Sequence, residues 1–246
     1  MAKPLRVTWI IGATSGVGRA SALALAGADR HLVLSGRREA ELRAVADEVA
    51  SLGGSADVLA VDASDQKAMD AATRAVATDH GDVAELLFSA GLNVPKRAWA
   101  GLRMPEFQAV VATNLTAAAG AIAGVLPGMR RRGAGRVVVV SSWAGWTYGR
   151  GAGVAYSASK TALKSLTESL NDQEGPGGVS ACLLCPGDID TPLIDNRPVV
   201  PTREQRDKML TPEDVARAVR FVFEMPRHVA INELVISPIE SHSYGR

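Results

Sequence analysis

The stretch Ile11-Gly12-Ala13-Thr14-Ser15-Gly16-Val17-Gly18 closes an apolar run over residues 6–11 and opens a helical pattern over 17–28. Glycines at this spacing permit a tight turn and a close approach of backbone to a pyrophosphate. They also start a helix whose free N–H groups face the anion. A plain glycine turn has the same composition. The position between first strand and first helix is what lends this one meaning.

Outward from this unit the pattern repeats. Further strands are predicted near 31–34, 56–61, 84–88, 136–141, 179–184 and 231–236, and helices over 39–51, 66–79, 106–131, 155–171 and 215–224. Continuous, β-branched strands suit a parallel sheet covered on both faces. Their alternation with helices implies a Rossmann-type, doubly wound α/β sheet of about seven strands. No Pro-, Gly- or Ser-rich linker and no internal repeat divides the chain, so residues 1–246 read as a single domain. Thr211, Pro212 and Asp214 form an entry signal for the last helix. The irregular segment 188–209, with Pro192, Pro198 and Pro201, reads as a substrate loop or lid.

With 246 residues, 47% hydrophobic and 22% charged, the chain can bury a large core without staples. Net charge is +1, and the densest basic run, Arg130, Arg131 and Arg132, suits the negative end of a helix. A nucleic-acid surface needs a wider basic face, so no nucleic-acid partner is expected. Cys182 and Cys185, three apart on a strand, point to opposite faces and read as core thiols. The lack of a disulfide framework fits a cytoplasmic setting. His31, His80, His228 and His242 fall singly, and no metal site is expected. No segment reaches ~18 uninterrupted apolar residues, so no membrane span is expected. Lys3 and Arg6 ahead of an apolar run imitate a signal peptide, but the glycine loop needs that run as a strand.

The second strand ends Leu34-Ser35-Gly36-Arg37-Arg38. Folds that take NAD usually place an acid here to hold the adenosine ribose. Gly36 stands in its place, followed by two guanidinium groups, which grip a 2′-phosphate where a carboxylate would repel it. Merely exposed arginines at a helix start are the alternative, disfavoured by the helix dipole. NADP(H) is therefore the expected dinucleotide.

Tyr156-Ser157-Ala158-Ser159-Lys160 opens a helix and sets a phenol and an ammonium on one face. A free tyrosine titrates near pH ~10 and is a poor base at neutral pH. A neighbouring lysine cation, together with an oxidised nicotinamide, is expected to lower that value. Ser142 precedes Tyr156 by fourteen residues (156 − 142), and Asn114 precedes Ser142 by twenty-eight (142 − 114). Asparagine inside a helix competes for backbone groups and asks for a reason, although a satisfied polar residue is the plain alternative.

These motifs resemble the short-chain dehydrogenase/reductase family, whose glycine loop has the G-x-x-x-G-x-G form and whose Asn, Ser, Tyr and Lys follow in this order. The resemblance spans residues 5 to about 237. It implies a hydride transfer between nicotinamide and a carbonyl or alcohol carbon, with Tyr156 as acid in reduction and base in oxidation. Lys160 would hold the nicotinamide ribose and tune Tyr156, Ser142 would bind the substrate oxygen, and Asn114 would anchor a water relay towards Lys160. Ser141 is the alternative to Ser142, and only one of two adjacent strand residues can face the site.

The resemblance further implies cofactor contacts at Gly12, Thr14, Ser15, Gly16, Val17 and Gly18, at Arg37, Arg38 and Asp62, at Ala90 and Gly91, and at Pro186, Gly187, Ile189 and Thr191. The chain departs from the family at Ile11, usually Thr, and at Phe88 and Ser89, usually two asparagines, which leaves open how that loop is braced.

A small carbonyl or alcohol compound is the expected substrate. The mouth is expected to include Leu92, Asn93, Trp143, Trp146, Tyr148 and residues 194–197; the aromatics stack either on a substrate or within the loop. Arg97, Arg150 or Arg197 could meet a substrate carboxylate, or be ordinary surface arginines. The ending Ile231-Asn232-Glu233-Leu234-Val235-Ile236-Ser237-Pro238 resembles the 3-hydroxy acid (serine-type) branch. A homodimer or homotetramer is expected by resemblance, pairing through the long helices after strands four and five, where 117–124 is rich in Ala and Gly. The alternatives are a nucleotide-binding sensor or scaffold without turnover, and a member of an extended branch, which needs a longer substrate region than follows residue 188.

Overall fold

A computed structural model describes residues 5–149 and 151–240; Lys3, Arg150 and His242 lie outside them. Among the described residues, seven strands form one parallel sheet in the order β3-β2-β1-β4-β5-β6-β7. They are β1 (Arg6–Ile11), β2 (Arg30–Gly36), β3 (Ser55–Ala60), β4 (Glu85–Phe88), β5 (Gly135–Val140), β6 (Val179–Pro186) and β7 (Glu233–Ile236). The strand order reverses between β2 and β4, on either side of β1, and at such a switch point α/β sheets open a crevice beyond their carboxyl ends.

Two apolar layers follow from the alternation along each strand. Trp9, Ile11, Val33, Leu86 and Cys185 pack on one face, Ile10, Leu32, Leu34, Leu87 and Cys182 on the other, so the two thiols do face opposite ways. Both are buried, and desolvation pushes their thiols up to about 12 and about 11. Each fully buried large side chain contributes ~1.5–3 kcal/mol.

Helices cover both faces: α1 (Gly16–Leu25), α2 (Glu39–Ser51), α3 (Gln66–Asp79), α4 (Met104–Val111), α5 (Ala117–Arg132), α6 (Trp143–Trp146), α7 (Val154–Glu174), α8 (Arg203–Arg206) and α9 (Pro212–Glu224). Thr211 caps α9 in a reciprocal box with Asp214, and Pro212 sits in its first turn, as the sequence predicts.

The long predicted helix over 106–131 is instead three pieces: α4, a π-helical turn at Ala112–Thr116, and α5. This run, Met104–Arg132, is by length and composition long and apolar enough to cross a membrane, which counting uninterrupted apolar residues did not anticipate. Here its Ala118, Ala121, Ile122, Val125 and Met129 are packed into the core against the sheet. At the amino end of the sheet Glu85 is buried and accepts from Arg6 Nη1 (2.8 Å), Arg30 Nε (3.0 Å) and Thr8 Oγ1 (2.7 Å).

Candidate active site

The glycine loop is shaped by contacts that exclude side chains. Gly12 has φ +93°, and a Cβ on it would lie 2.6 Å from the Ala90 amide nitrogen. A Cβ on Gly18 would collide with the Gly12 carbonyl, and one on Gly16 (φ +54°) would press Thr191 Cγ2 at 3.2 Å. The loop thus touches Ala90 on one side and Thr191 on the other. Ser89 answers the bracing question: its amide and its hydroxyl both donate to the Ile11 carbonyl at 2.9 Å. Ile11 is buried in the core.

Gly36 has a local cause as well, because a Cβ there would stand 2.9 Å from Thr14 Cγ2. Arg38 Nη2 reaches back to Thr14 Oγ1 at 3.0 Å, so this guanidinium binds the glycine loop directly. Arg37 lines a cleft of about 310 Å³ with Ala60, Val61 and Asp62. Asp62 accepts from the Ser64 amide (2.9 Å) and hydroxyl (2.8 Å). That backbone hydrogen bond holds its carboxyl below the usual range, with Arg37 adding to the effect.

At the end of β5 the chain parts the two serines. Ser141 is buried and donates to the Lys160 carbonyl at 2.9 Å. Ser142 caps α6 through the Ala144 amide (3.2 Å) and hydrogen-bonds the Tyr156 side chain. Lys160 is 3% exposed, its Nζ donates to the Val140 carbonyl at 2.7 Å and lies 5.7 Å from the centre of the Tyr156 ring. Burial holds its ammonium down at about 8.

In the protein alone the Tyr156 phenol is raised, and burial is the main cause. The Ser142 hydrogen bond and the cations of Arg197 and Arg97 oppose that rise, while Asp188 adds to it.

Asn114 sits in the π turn, where the widened ring re-aims its side chain. Its Oδ1 accepts from the Leu92 amide (2.7 Å), and its Nδ2 donates to the Leu92 carbonyl (3.0 Å) and to Ser159 Oγ (3.1 Å). The amide therefore ties the loop after β4 to α7. Gly91 lies between these groups: a Cβ there would be 3.7 Å from Lys160 Nζ and 3.9 Å from Asn114 Oδ1.

Pro186 ends β6 beside Ile236, and the Gly187 amide donates to the Ile236 carbonyl at 2.7 Å. Beyond them the 188–209 segment has structure of its own: a 3₁₀ turn at Pro192–Asn196 and the short α8. Ile189 bridges Leu210, with the Leu210 amide donating to the Asp188 carbonyl and the Asp190 amide to the Leu210 carbonyl, each at 2.9 Å. Arg197 pairs with Asp188, and Arg206 with Asp190 and Asp195.

The aromatic residues divide. Trp143, expected at the mouth, is 7% exposed and meets Trp146 edge-on at 5.0 Å between ring centres. Trp146 and Tyr148 are exposed. Asn93, also expected there, is buried, and its Nδ2 donates to the Ala152 carbonyl at 3.0 Å.

Arg97 joins three loops: Nε donates to the Val94 carbonyl (3.0 Å), Nη1 to Gly151 (3.4 Å) and Nη2 to Asn196 (2.7 Å). This bracing role was not legible in the sequence, because the three acceptors are backbone carbonyls far apart in the chain.

The short chain dehydrogenase family model matches residues 6–199. The chain is 31% identical over 238 residues to glycine betaine reductase of Emericella nidulans, covering 95% of this chain but only 19% of that longer protein. It is 28% identical over 235 residues to an uncharacterized oxidoreductase of Staphylococcus saprophyticus, covering 95% and 97% of the two chains. Its fold is similar to an alcohol dehydrogenase from the archaeon Thermococcus sibiricus complexed with 5-hydroxy-NADP, with TM-score 0.86, 27% identity, and 97% and 98% of the chains covered. The chain belongs to the short-chain dehydrogenase family.

Proposed function

We propose that this oxidoreductase uses NADP(H) to interconvert a ketone or aldehyde and an alcohol, with Tyr156 moving the proton. The observation that carries the reading is the convergence of Ser142, Tyr156 and Lys160 beside the Gly91 backbone, at the carboxyl end of the sheet where the glycine loop also opens. The cradle fits a dinucleotide: Gly12, Gly16 and Gly18 lie where Cβ atoms would crowd the loop, and Thr14 and Ser15 line the helix start next to Arg38.

When bound, the nicotinamide supplies or takes the hydride. Ser142 orients the substrate oxygen and accepts or donates a hydrogen bond with Tyr156. Tyr156 gives the alkoxide oxygen its proton in reduction and removes it in oxidation. Lys160, held by the Val140 carbonyl, keeps further N–H donors that would hold the nicotinamide ribose, and its ammonium would favour the phenolate of Tyr156. Asn114 fixes the loop and helix that carry these groups. Arg37 and Arg38 would receive the 2′-phosphate, and Asp62 the adenine side; Ala90, Pro186, Gly187, Ile189 and Thr191 would line the remaining cofactor wall.

The finer substrate class we propose is a small hydroxy or oxo acid. Arg97 and Arg197 are near enough to act on the charge of Tyr156, so a substrate anion would meet a cationic wall, and Arg197 can trade Asp188 for a carboxylate. Residues 188–209 would act as the lid, on a single catalytic domain. Pairing of copies through α4–α5 and α7, and a cytoplasmic setting in which Cys182 and Cys185 stay reduced, complete the reading. The rival, a sensor without turnover, is favoured by nothing in the arrangement of these three side chains.

The test is NADPH oxidation followed by absorbance across neutral carbonyls and oxo acids, with NADH in parallel. Faster turnover with NADPH and oxo acids is the expected result. Turnover confined to neutral ketones would remove the acid class, and tight NADPH binding without turnover of any substrate would favour the sensor.

A further inference from the structure

His31, Asp57 and His80, which the sequence scatters over two strands and a helix end, meet at the edge of the sheet. His31 Nε2 lies 3.3 Å from Asp57 Oδ2, and His80 Nε2 lies 3.6 Å from the same oxygen. The two imidazoles are 4.7 Å apart between centres, and one ligand atom from each of the three residues falls within 4.8 Å of the others. Asp47 and Asp79 line the groove alongside Asp57, while Arg43, which also lines it, is drawn to Glu39.

We propose that this cluster is a binding site for a borderline-soft divalent transition ion of the Zn²⁺ class. Two nitrogen or oxygen ligands at about 2.0–2.1 Å from a tetrahedral ion stand about 3.3–3.4 Å apart, close to both contacts with Asp57. His31 Nδ1 is 3.0 Å from Ser55 Oγ. A proton on Nδ1 donated to that hydroxyl leaves the Nε2 lone pair aimed at the cluster, an arrangement that metal-bound histidines share.

Nε2 is buried and faces the Asp57 carboxylate at 3.3 Å. With the proton on Nδ1 these two acceptors would repel, and a cation between them would remove the repulsion. Two histidines and one carboxylate supply three ligands and leave a position for water.

The site lies at the amino ends of β2 and β3, against the last residue of α3's cap, the opposite end of the sheet from Tyr156. An ion there would clasp β2, the edge strand β3 and α3 together, a role in stability rather than in turnover.

The purified full chain, stripped with EDTA and dialysed, is titrated with Zn²⁺ alone by calorimetry and with Co²⁺ alone by visible absorption. About one equivalent is expected to bind, with Co²⁺ d–d bands of a four-coordinate site and a higher Tm in Zn²⁺. His80→Ala and Asp57→Asn should each weaken Zn²⁺ binding at least tenfold and abolish the Tm gain, while NADPH-dependent turnover is unchanged. The cap bond of His80 is made by its backbone N–H to the Val76 carbonyl, so the His80 variant keeps the helix end and stays folded even where His31→Ala does not. Failure to bind stoichiometrically, or undiminished binding in both the His80 and Asp57 variants, overturns the proposal.

Discussion

The Ser141 hydroxyl donates to the Lys160 carbonyl at 2.9 Å, so the serine that does not face the site fastens the helix that does. Gly145 closes the same junction: a Cβ there would stand 2.6 Å from the Lys160 carbonyl oxygen and against the Ser141 hydroxyl. Gly145→Ala must therefore move α7. A displacement near 1 Å can lower turnover about 100-fold, and overpacking costs ~1–3 kcal/mol. Steady-state kinetics beside urea unfolding should show kcat falling more than the stability loss explains; unchanged kcat would detach the junction from catalysis.

Tyr156→Phe keeps the ring and removes the proton. Turnover should drop about 10²- to 10⁴-fold, the usual contribution of a positioned acid or base. NADPH affinity, read by fluorescence titration, should change little, because the glycine loop and Lys160 remain. A Phe variant with full activity would sink the assignment of Tyr156.

Arg37 and Arg38 should separate under substitution. Arg38 also holds Thr14 Oγ1, so Arg38→Ala is expected to weaken both NADPH and NADH. Arg37 has no such tie to the glycine loop and should act on the 2′-phosphate alone. Losing one charge-assisted contact is worth about 1.5–3 kcal/mol, or roughly 10- to 100-fold in Kd. Equal losses for both dinucleotides in Arg37→Ala would refute that role.

Lys160 ties stability to pH. Its folded value is about 8, against an unfolded lysine near ~10.4, so its buried charge destabilises the protein fully below pH 8 and progressively less above it. Cys182 and Cys185, raised by burial, work the other way as pH rises, because the unfolded chain loses those protons first. A comparison with Lys160→Met cancels Cys182 and leaves, of the cysteines, only the coupling of Cys185 to Lys160. The wild type should gain ~2–3 kcal/mol on that variant between pH 8 and 10, measured by urea unfolding at each pH. A constant difference would mean that Lys160 titrates normally.

Local patterns were legible and remote meetings were not. The runs read as 6–11, 39–51 and 66–79 are the observed β1, α2 and α3, because one continuous period marks each. The π turn around Asn114 was hidden, since a run as uniformly apolar and Ala-rich as 109–126 shows no break when one extra residue turns its faces. Short α6 and α8 carry too few residues to show a period at all.

At the site, the spacing of Ser142, Tyr156 and Lys160 pointed to one place. It did not reveal that burial raises the Tyr156 phenol in the protein alone, because solvation depends on every element around it. His31 and His80, forty-nine residues apart (80 − 31), meet only because β2 and β3 are neighbours and α3 returns beneath them.

The bridge between Ile189 and Leu210 brings the departure and the return of the intervening segment side by side. Such a segment can be lengthened, shortened or exchanged without stretching the sheet, since loop closure grows only slowly more unfavourable with length. Chimaeras that graft residues 190–209 from a relative should therefore fold on this chassis and take the donor's selectivity, leaving the dinucleotide preference with the recipient.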